Sequence, residues 1–179
     1  MPYVSEIQTS APAQYKTPLQ EQVYKILAAL HIPFERVDTD EVIAMDDCEA
    51  VNDKLDMKMV KTLFLCDRKQ TRFYLFVTAG DKPFRSKEFS NALGVSRLSF
   101  APADRMEQML GTGIGAATVF SALLDTAEDV RIVFDREVAS GQWYGCSDGT
   151  TTGYMKIETA RIINDFLPYA GRKATVVTV

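Results

Sequence analysis

The apolar positions of the chain change period several times, and each change predicts an element. Leu19, Val23, Ile26, Leu27 and Leu30 recur at helical spacing and give one apolar face. Thr17 stands ahead of Pro18 and three residues before Gln20, a cap followed by proline and then glutamine, so the helix starts there and Pro33 stops it. FERVD, 34–38, predicts a short strand, and the acidic MDDCEAVNDKLD, 45–56, a second helix or a structured loop. VKTLFLCD and RFYLFVTA, 60–67 and 72–79, are rich in β-branched and aromatic residues around a short polar segment, the pattern of an antiparallel hairpin. SKEFSNALG predicts a helix ended by Gly94, RLSF a strand, and PADRMEQML a helix ended by Gly111. VRIVFD and the segments around Trp143 and Met155 predict further strands. In IETARIINDFLPYAG, Ile162, Ile163, Phe166 and Leu167 share a helical face that ends at Pro168, before a last strand ATVVTV.

Strands outnumber helices and alternate with them irregularly, which predicts a mixed α+β fold, with a mostly antiparallel sheet wrapped by helices, over a regular doubly wound one. Residues 1–16 carry no periodicity and are expected to form a loosely held, flexible N-terminal arm, leaving 17–179 as one domain. With 179 residues, 46% of them hydrophobic, the chain can bury one sizeable core and hardly a second.

Several function classes drop out. No run of eighteen apolar residues occurs, and MPYVSEIQTSAPAQYKT lacks the basic start and apolar middle of a signal peptide, so a cytoplasmic protein without a membrane partner is expected. Cys48, Cys66 and Cys146 are odd in number and form no CxxC pair, which points to neither a disulfide framework nor a zinc site. The single histidine, His31, argues against a catalytic triad. GTGIG lacks the Lys-Ser/Thr of a phosphate loop, and no GxGxxG opens a helix after a strand. A net charge of −4 opposes DNA binding over the whole surface, yet between Lys58 and Arg97 nine Lys or Arg face three acids. That basic middle is either a set of solvated strand ends or a local phosphate-binding surface, with Lys58, Arg68, Lys69 and Arg72 as its candidates.

Lys61 is the sharpest single residue. Strand alternation puts Val60, Thr62, Phe64 and Cys66 on one face and Lys61, Leu63 and Leu65 on the other, so a lysine leads an apolar face. Either its stem is buried while the ammonium reaches out at the strand end, or the ammonium stands at the mouth of a pocket to bind a phosphate or a carbonyl oxygen.

VKTLFLCD, RFYLFV, LGVSRLSFAPADRMEQMLGTGIGAATVFSALLD and VRIVFD, in that order, resemble the YbaK-like, prolyl-tRNA-synthetase-associated editing domain family over roughly residues 18–170. The family text runs as a lysine strand, an R-L-S-F-A segment, an L-G-x-x-P-G-x-V-(S/T)-P-F loop ending in an aspartate, and a late H-P-x-x-N-T strand. The resemblance implies a mixed-sheet, pseudo-barrel fold and hydrolysis of mischarged aminoacyl-tRNA, such as Ala-tRNA(Pro) or Cys-tRNA(Pro), without metal or other cofactor. Its implied partners are the aminoacylated acceptor end of tRNA and an aminoacyl-tRNA synthetase. It places Lys61 at the family's lysine, which holds the terminal adenosine and aminoacyl ester, and lets the loop from Gly111 to Gly115 line the aminoacyl pocket with backbone N–H groups. Thr62, Thr118 and Asp125 join the substrate-binding candidates on the same basis.

The chain also departs from that text. Ile114 replaces the loop proline, and Thr118-Val119 the (S/T)-P. The late His-Pro falls on Ser147-Asp148 and the Asn-Thr on Thr151-Thr152. Those four either supply hydroxyls and a carboxylate to the pocket or form only a turn, since Ser and Asp-Gly are standard turn residues. Two functions follow: a trans-editing hydrolase, or a non-catalytic binder of an aminoacyl-adenosine-like ligand that keeps the lysine without the chemistry.

Overall fold

Thr17 caps the first helix through its hydroxyl, which accepts from the Gln20 main-chain N–H at 3.0 Å. In the computed structural model, which describes residues 3–42 and 44–179, α1 spans Pro18–Ala29 and buries Leu19, Val23 and Leu27. The side-chain oxygen of Gln20 reaches back to accept from Lys16 N at 2.7 Å, one residue before the cap. His31, at φ 52°, turns the chain before Pro33.

β1 follows as Glu35–Asp38. The acidic stretch is a 3-10 turn, Met45–Cys48, running into α2, Glu49–Leu55. β2, Val60–Cys66, and β3, Phe73–Ala79, form the expected hairpin, paired from Val60 opposite Ala79 to Cys66 opposite Phe73. α3 is Ser86–Leu93, β4 Ser99–Phe100 and α4 Ala103–Leu110. Two 3-10 turns, Val119–Leu123 and Asp125–Ala127, lead to β5, Val130–Asp135, and α5, Arg136–Ala139. β6, Trp143–Ser147, and β7, Gly153–Glu158, make a second hairpin. α6, Thr159–Arg161, passes through a π turn, Ile162–Phe166, into α7, Leu167–Tyr169, and β8 is Thr175–Val177.

The strands form two sheets, one ordered β4-β2-β3-β5-β8 and the other β1-β7-β6. The first is mixed, with β3, β5 and β8 parallel, and the second antiparallel. Among the described residues a single parallel bridge, Met59 to Gly145, joins them, so the pseudo-barrel is not closed. Closure needs a continuous ladder, and β4 pairs only with Leu65 and Cys66, leaving the start of β2 uncovered on that side.

Both faces of the hairpin are buried, which is why its text is almost continuously apolar. Phe64 and Leu75 pack toward Leu110 of α4, while Leu65 and Phe76 pack toward Phe89 of α3. The largest cluster lies between α1, the C-terminal helical segment and both sheets, around Phe120, Phe134, Tyr144 and Phe166. Each such side chain contributes about 1.5–3 kcal/mol by burial.

Three expectations are corrected. RLSF yields a strand of two residues only, Ser99–Phe100, because the Leu98 main chain is taken up by α3, its N–H donating to Ser90 Oγ and its carbonyl accepting from the Ser86 hydroxyl. Pro168 does not end the last helix: it lies in the first turn of α7, where no N–H is demanded of it. Residues 3–16 are tied to β1, with Ser5 N donating to Asp38 O at 2.8 Å and Gln8 and Arg36 exchanging main-chain hydrogen bonds at 2.9 and 2.8 Å. Buried Arg36 adds bonds to Ser10 O and the Gln8 side chain, a tertiary clamp with no periodic trace in the segment itself. No helix of the described residues is long and apolar enough to cross a membrane.

Candidate functional site

Main-chain alternation in β2 builds the site. Phe64 O accepts from Ala101 N at 2.9 Å, so the even-numbered residues of β2 turn their N–H and C=O groups toward β4. At the other end of the same edge the Met59–Gly145 bridge takes up the main chain around Lys58 and Val60. Thr62 falls between these pairings. It borders a cavity of about 230 Å³ lined by Lys61, Thr62, Met106, Gly115, Ser147 and Tyr154, with Met45, Cys48 and Cys146 at its apolar wall.

Lys61 shares a face with Leu63 and Leu65, as alternation requires, and stands opposite Thr78. Its half-buried ammonium donates to the main-chain carbonyl of Lys82. Burial pushes its pKa down, and Asp81 partly offsets this. Gly115 reaches the cavity with φ 86°, a conformation that disfavours any side chain, while Ile114 beside it is 66% exposed and turned away. The buried Thr118 hydroxyl donates to Ser147 O at 3.0 Å and fastens the glycine loop to β6.

The 147–152 segment is a turn whose polar groups are spent within the fold, partly on one another and partly on α1 and the residues after β1. Ser147 borders the cavity, but its hydroxyl donates to Thr150 O at 2.5 Å and accepts from Gly149 N at 3.0 Å. Asp148 points into the protein toward α1. Its carboxylate accepts from Gln20 Nε2 at 2.9 Å, Tyr24 Oη at 2.8 Å, Thr150 Oγ1 at 2.7 Å and Thr150 N at 3.1 Å. Burial raises its pKa despite those donors. Thr151 and Thr152 give their carbonyls to Val42 N and Thr39 N, and the Thr152 hydroxyl accepts from Lys16 Nζ.

Of the substrate-binding candidates, Thr62, Gly115 and Ser147 line the cavity beside Lys61, and Thr118 supports it. Gly111, Ile114, Asp125, Asp148, Thr151 and Thr152 lie outside its lining. Gly111 is the left-handed cap of α4 and Asp125 an exposed residue opening a 3-10 turn. The basic candidates divide as well. Arg68, Lys69 and Arg72 sit at the hairpin tip, in a turn organised by Asp67, whose carboxylate accepts from Thr71 and Arg72. Lys58 lies at the other end of β2, 3.8 Å from Asp81. Seven strand residues at about 3.3 Å each separate the two by roughly 20 Å or more, so they are not one patch.

Met45, Cys48, Met106, Cys146 and Tyr154 are cavity residues that sequence reasoning passed over. Only Tyr154, a polar aromatic inside a strand, carried a signal, and its hydroxyl donates to Val42 O at 2.8 Å. Burial pushes the Cys48 thiol up to about 11 and raises Cys146 as well, so neither is a thiolate at neutral pH. No group of three or more His, Cys, Asp or Glu among the described residues is placed to hold a metal ion. A larger cleft of about 580 Å³ lies between the N-terminal segment, α1 and β7, but none of the motif residues reaches it.

The model of the aminoacyl-tRNA editing domain matches residues 41–164, a span that holds every residue lining the smaller cavity. The chain belongs to this editing-domain family. It is 30% identical over 119 residues to the prolyl-tRNA editing protein ProX of Acetoanaerobium sticklandii, covering 66% of this chain and 73% of that one. To the prolyl-tRNA synthetase associated domain-containing protein 1 of Danio rerio it is 28% identical over 147 residues, covering 81% and 79%. The crystal structure of hypothetical protein APE2540 shares the fold at a TM-score of 0.67 and 17% identity, covering 87% of this chain and 98% of that one. The family match begins after α1 and stops within the π turn, so the helix that grips Asp148 lies outside it.

Proposed function

We propose that the chain is a trans-editing hydrolase that cleaves the ester of a mischarged aminoacyl-tRNA of the prolyl type, such as Ala-tRNA(Pro) or Cys-tRNA(Pro). One observation carries this reading. Lys61 of the lysine strand and Gly115 of the glycine loop, far apart in sequence, line one cavity of about 230 Å³ together with Ser147, which stands where the family has its late histidine. The reading is supported by the family and by a relative named for prolyl-tRNA editing.

In this reading the Lys61 ammonium holds the phosphate or ester oxygen of the acceptor end, and the Gly115 loop and the open edge at Thr62 contact the aminoacyl group. Water adds to the ester carbonyl carbon, the bond from that carbon to the ribose oxygen breaks, and the proton lost by water ends on that oxygen. The described cavity lining contains no carboxylate or imidazole to carry the proton. The neighbouring ribose hydroxyl of the substrate serves instead.

That same lining favours the second reading, a non-catalytic binder of an aminoacyl-adenosine-like ligand. Ser147 and Asp148, which replace the family's late motif, spend their polar groups within the fold. A deacylation assay over a panel of mischarged tRNAs separates the two. Release of amino acid from at least one tRNA, above the spontaneous rate, is expected. No release from any, together with saturable binding of a non-hydrolysable aminoacyl-adenosine analogue, makes the protein a binder.

A further inference from the structure

The polar contacts of Lys61 continue across the sheet. Lys61 on β2 faces Thr78 on β3, and Thr78 stands next to Asp135 at the end of β5, one step beyond the Val77–Phe134 pair. Thr78 Oγ1 donates to Asp135 Oδ2 at 2.7 Å. The Asp135 side chain is 2% exposed, and its Oδ2 also accepts from Lys82 Nζ at 2.8 Å. Its Oδ1 caps α5 by accepting from Glu137 N at 3.2 Å. A carboxylate this deep requires a cation or several donors to offset its lost hydration, and Lys82 is the cation within reach.

Lys82 is therefore held twice. Its side chain is pinned to β5, and its main chain closes the turn after β3, with Lys82 N donating to Ala79 O at 3.1 Å. The carbonyl of this same residue receives the Lys61 ammonium. A free lysine has a flexible stem and a wandering charge, whereas this one has a fixed acceptor.

We infer that Asp135 and Lys82 are positioning residues for Lys61: the buried carboxylate anchors Lys82, and the anchored Lys82 presents the carbonyl that fixes the ammonium of Lys61, a residue lining the cavity. The activity arm of this inference rests on the proposed hydrolase reading. The geometry arm does not.

Three variants test it in the full chain. Lys82→Met removes the anchor but keeps the stem, Asp135→Asn keeps the shape but removes the charge, and Lys82→Arg keeps a cation facing Asp135. The first readout is labelling of Lys61 by acetic anhydride well below the melting temperature, quantified by mass spectrometry against exposed Lys69. The second is deacylation. Lys82→Met and Asp135→Asn should raise Lys61 labelling several-fold and lower kcat about tenfold with KM little changed, and Lys82→Arg should keep both near the unaltered values. If melting temperatures fall while Lys61 labelling stays unchanged, Asp135 is only a helix cap and core anchor, and the inference is overturned. If the unaltered protein cleaves no mischarged tRNA, the hydrolase reading falls by itself. Labelling then decides alone, a rise supporting the positioning role and no change refuting it.

Discussion

Asp148→Ala tests how the turn beside the cavity is organised. Two of the carboxylate's donors, Gln20 Nε2 and Tyr24 Oη, come from α1 and are buried, while the two from Thr150 are local and can rearrange with the turn. Stranding a buried donor costs about 1–3 kcal/mol, so the pair from α1 sets a range of about 2–6 kcal/mol. Removing a buried charge returns part of its desolvation cost, which places the expected loss in the lower half, about 3 kcal/mol. For a domain of this size that is a fall in melting temperature of roughly 6–12 °C. Asp148→Asn retains one acceptor oxygen and should lose about half as much. The pH dependence has a definite sign. Burial raises the folded-state pKa of Asp148 above its ordinary 3.8, so the folded protein holds this proton more tightly than the unfolded chain. The stability from this group is then fully present below the unfolded pKa and is lost as pH rises through the folded one. The margin of the unaltered protein over Asp148→Asn should narrow from acid toward neutral pH, measured by circular dichroism melts across that range. A fall of less than about 3 °C for Asp148→Ala, or a margin that widens with pH, refutes the reasoning.

Lys61→Ala should lower deacylation by on the order of a hundredfold or more, since one preorganised electrostatic group is typically worth about 3 kcal/mol, with little change in the melt. A variant that melts early but keeps its activity per folded molecule would make Lys61 a structural lysine. Gly115→Ala forces a side chain into φ 86° and should cost about 1–2 kcal/mol of stability while raising KM, as melts and steady-state kinetics report. Neutralising Arg68, Lys69 and Arg72 together should lower the slope of log tRNA affinity against log salt by about one unit or slightly less for each tRNA phosphate that these side chains neutralise. Lys58→Ala, at the opposite end of β2, should be additive with that change. Affinity and slope that ignore the hairpin variant remove the tip from the interface.

Local signals in the text carried most of the elements. The Thr17 cap, the hairpin from Val60 to Ala79 and the glycine stops at Gly94 and Gly111 all stand where short-range chemistry puts them. The failures are the elements whose ends are settled by distant partners. The N-terminal segment is ordered by Arg36, the last helix runs through Pro168 by means of a π turn, and RLSF shrinks to two paired residues.

The site divides along the same line. Strand period alone put Lys61 on the face of Leu63 and Leu65, and the order of motifs alone pointed to the editing-domain family, because both properties are written in consecutive residues. Only the tertiary structure decided that Asp148 turns inward to α1 while Ser147 borders the cavity, and that Met45, Cys48 and Tyr154 complete the wall. Adjacent strand residues face opposite ways, and which way is inward depends on what packs there. The open edge at Thr62 exists because β4 is short and Met59 bridges to Gly145, two pairings between segments far apart in the chain. A hydrogen-bonding edge is left open or closed by the strand that arrives beside it, and nothing in the edge's own residues records that arrival.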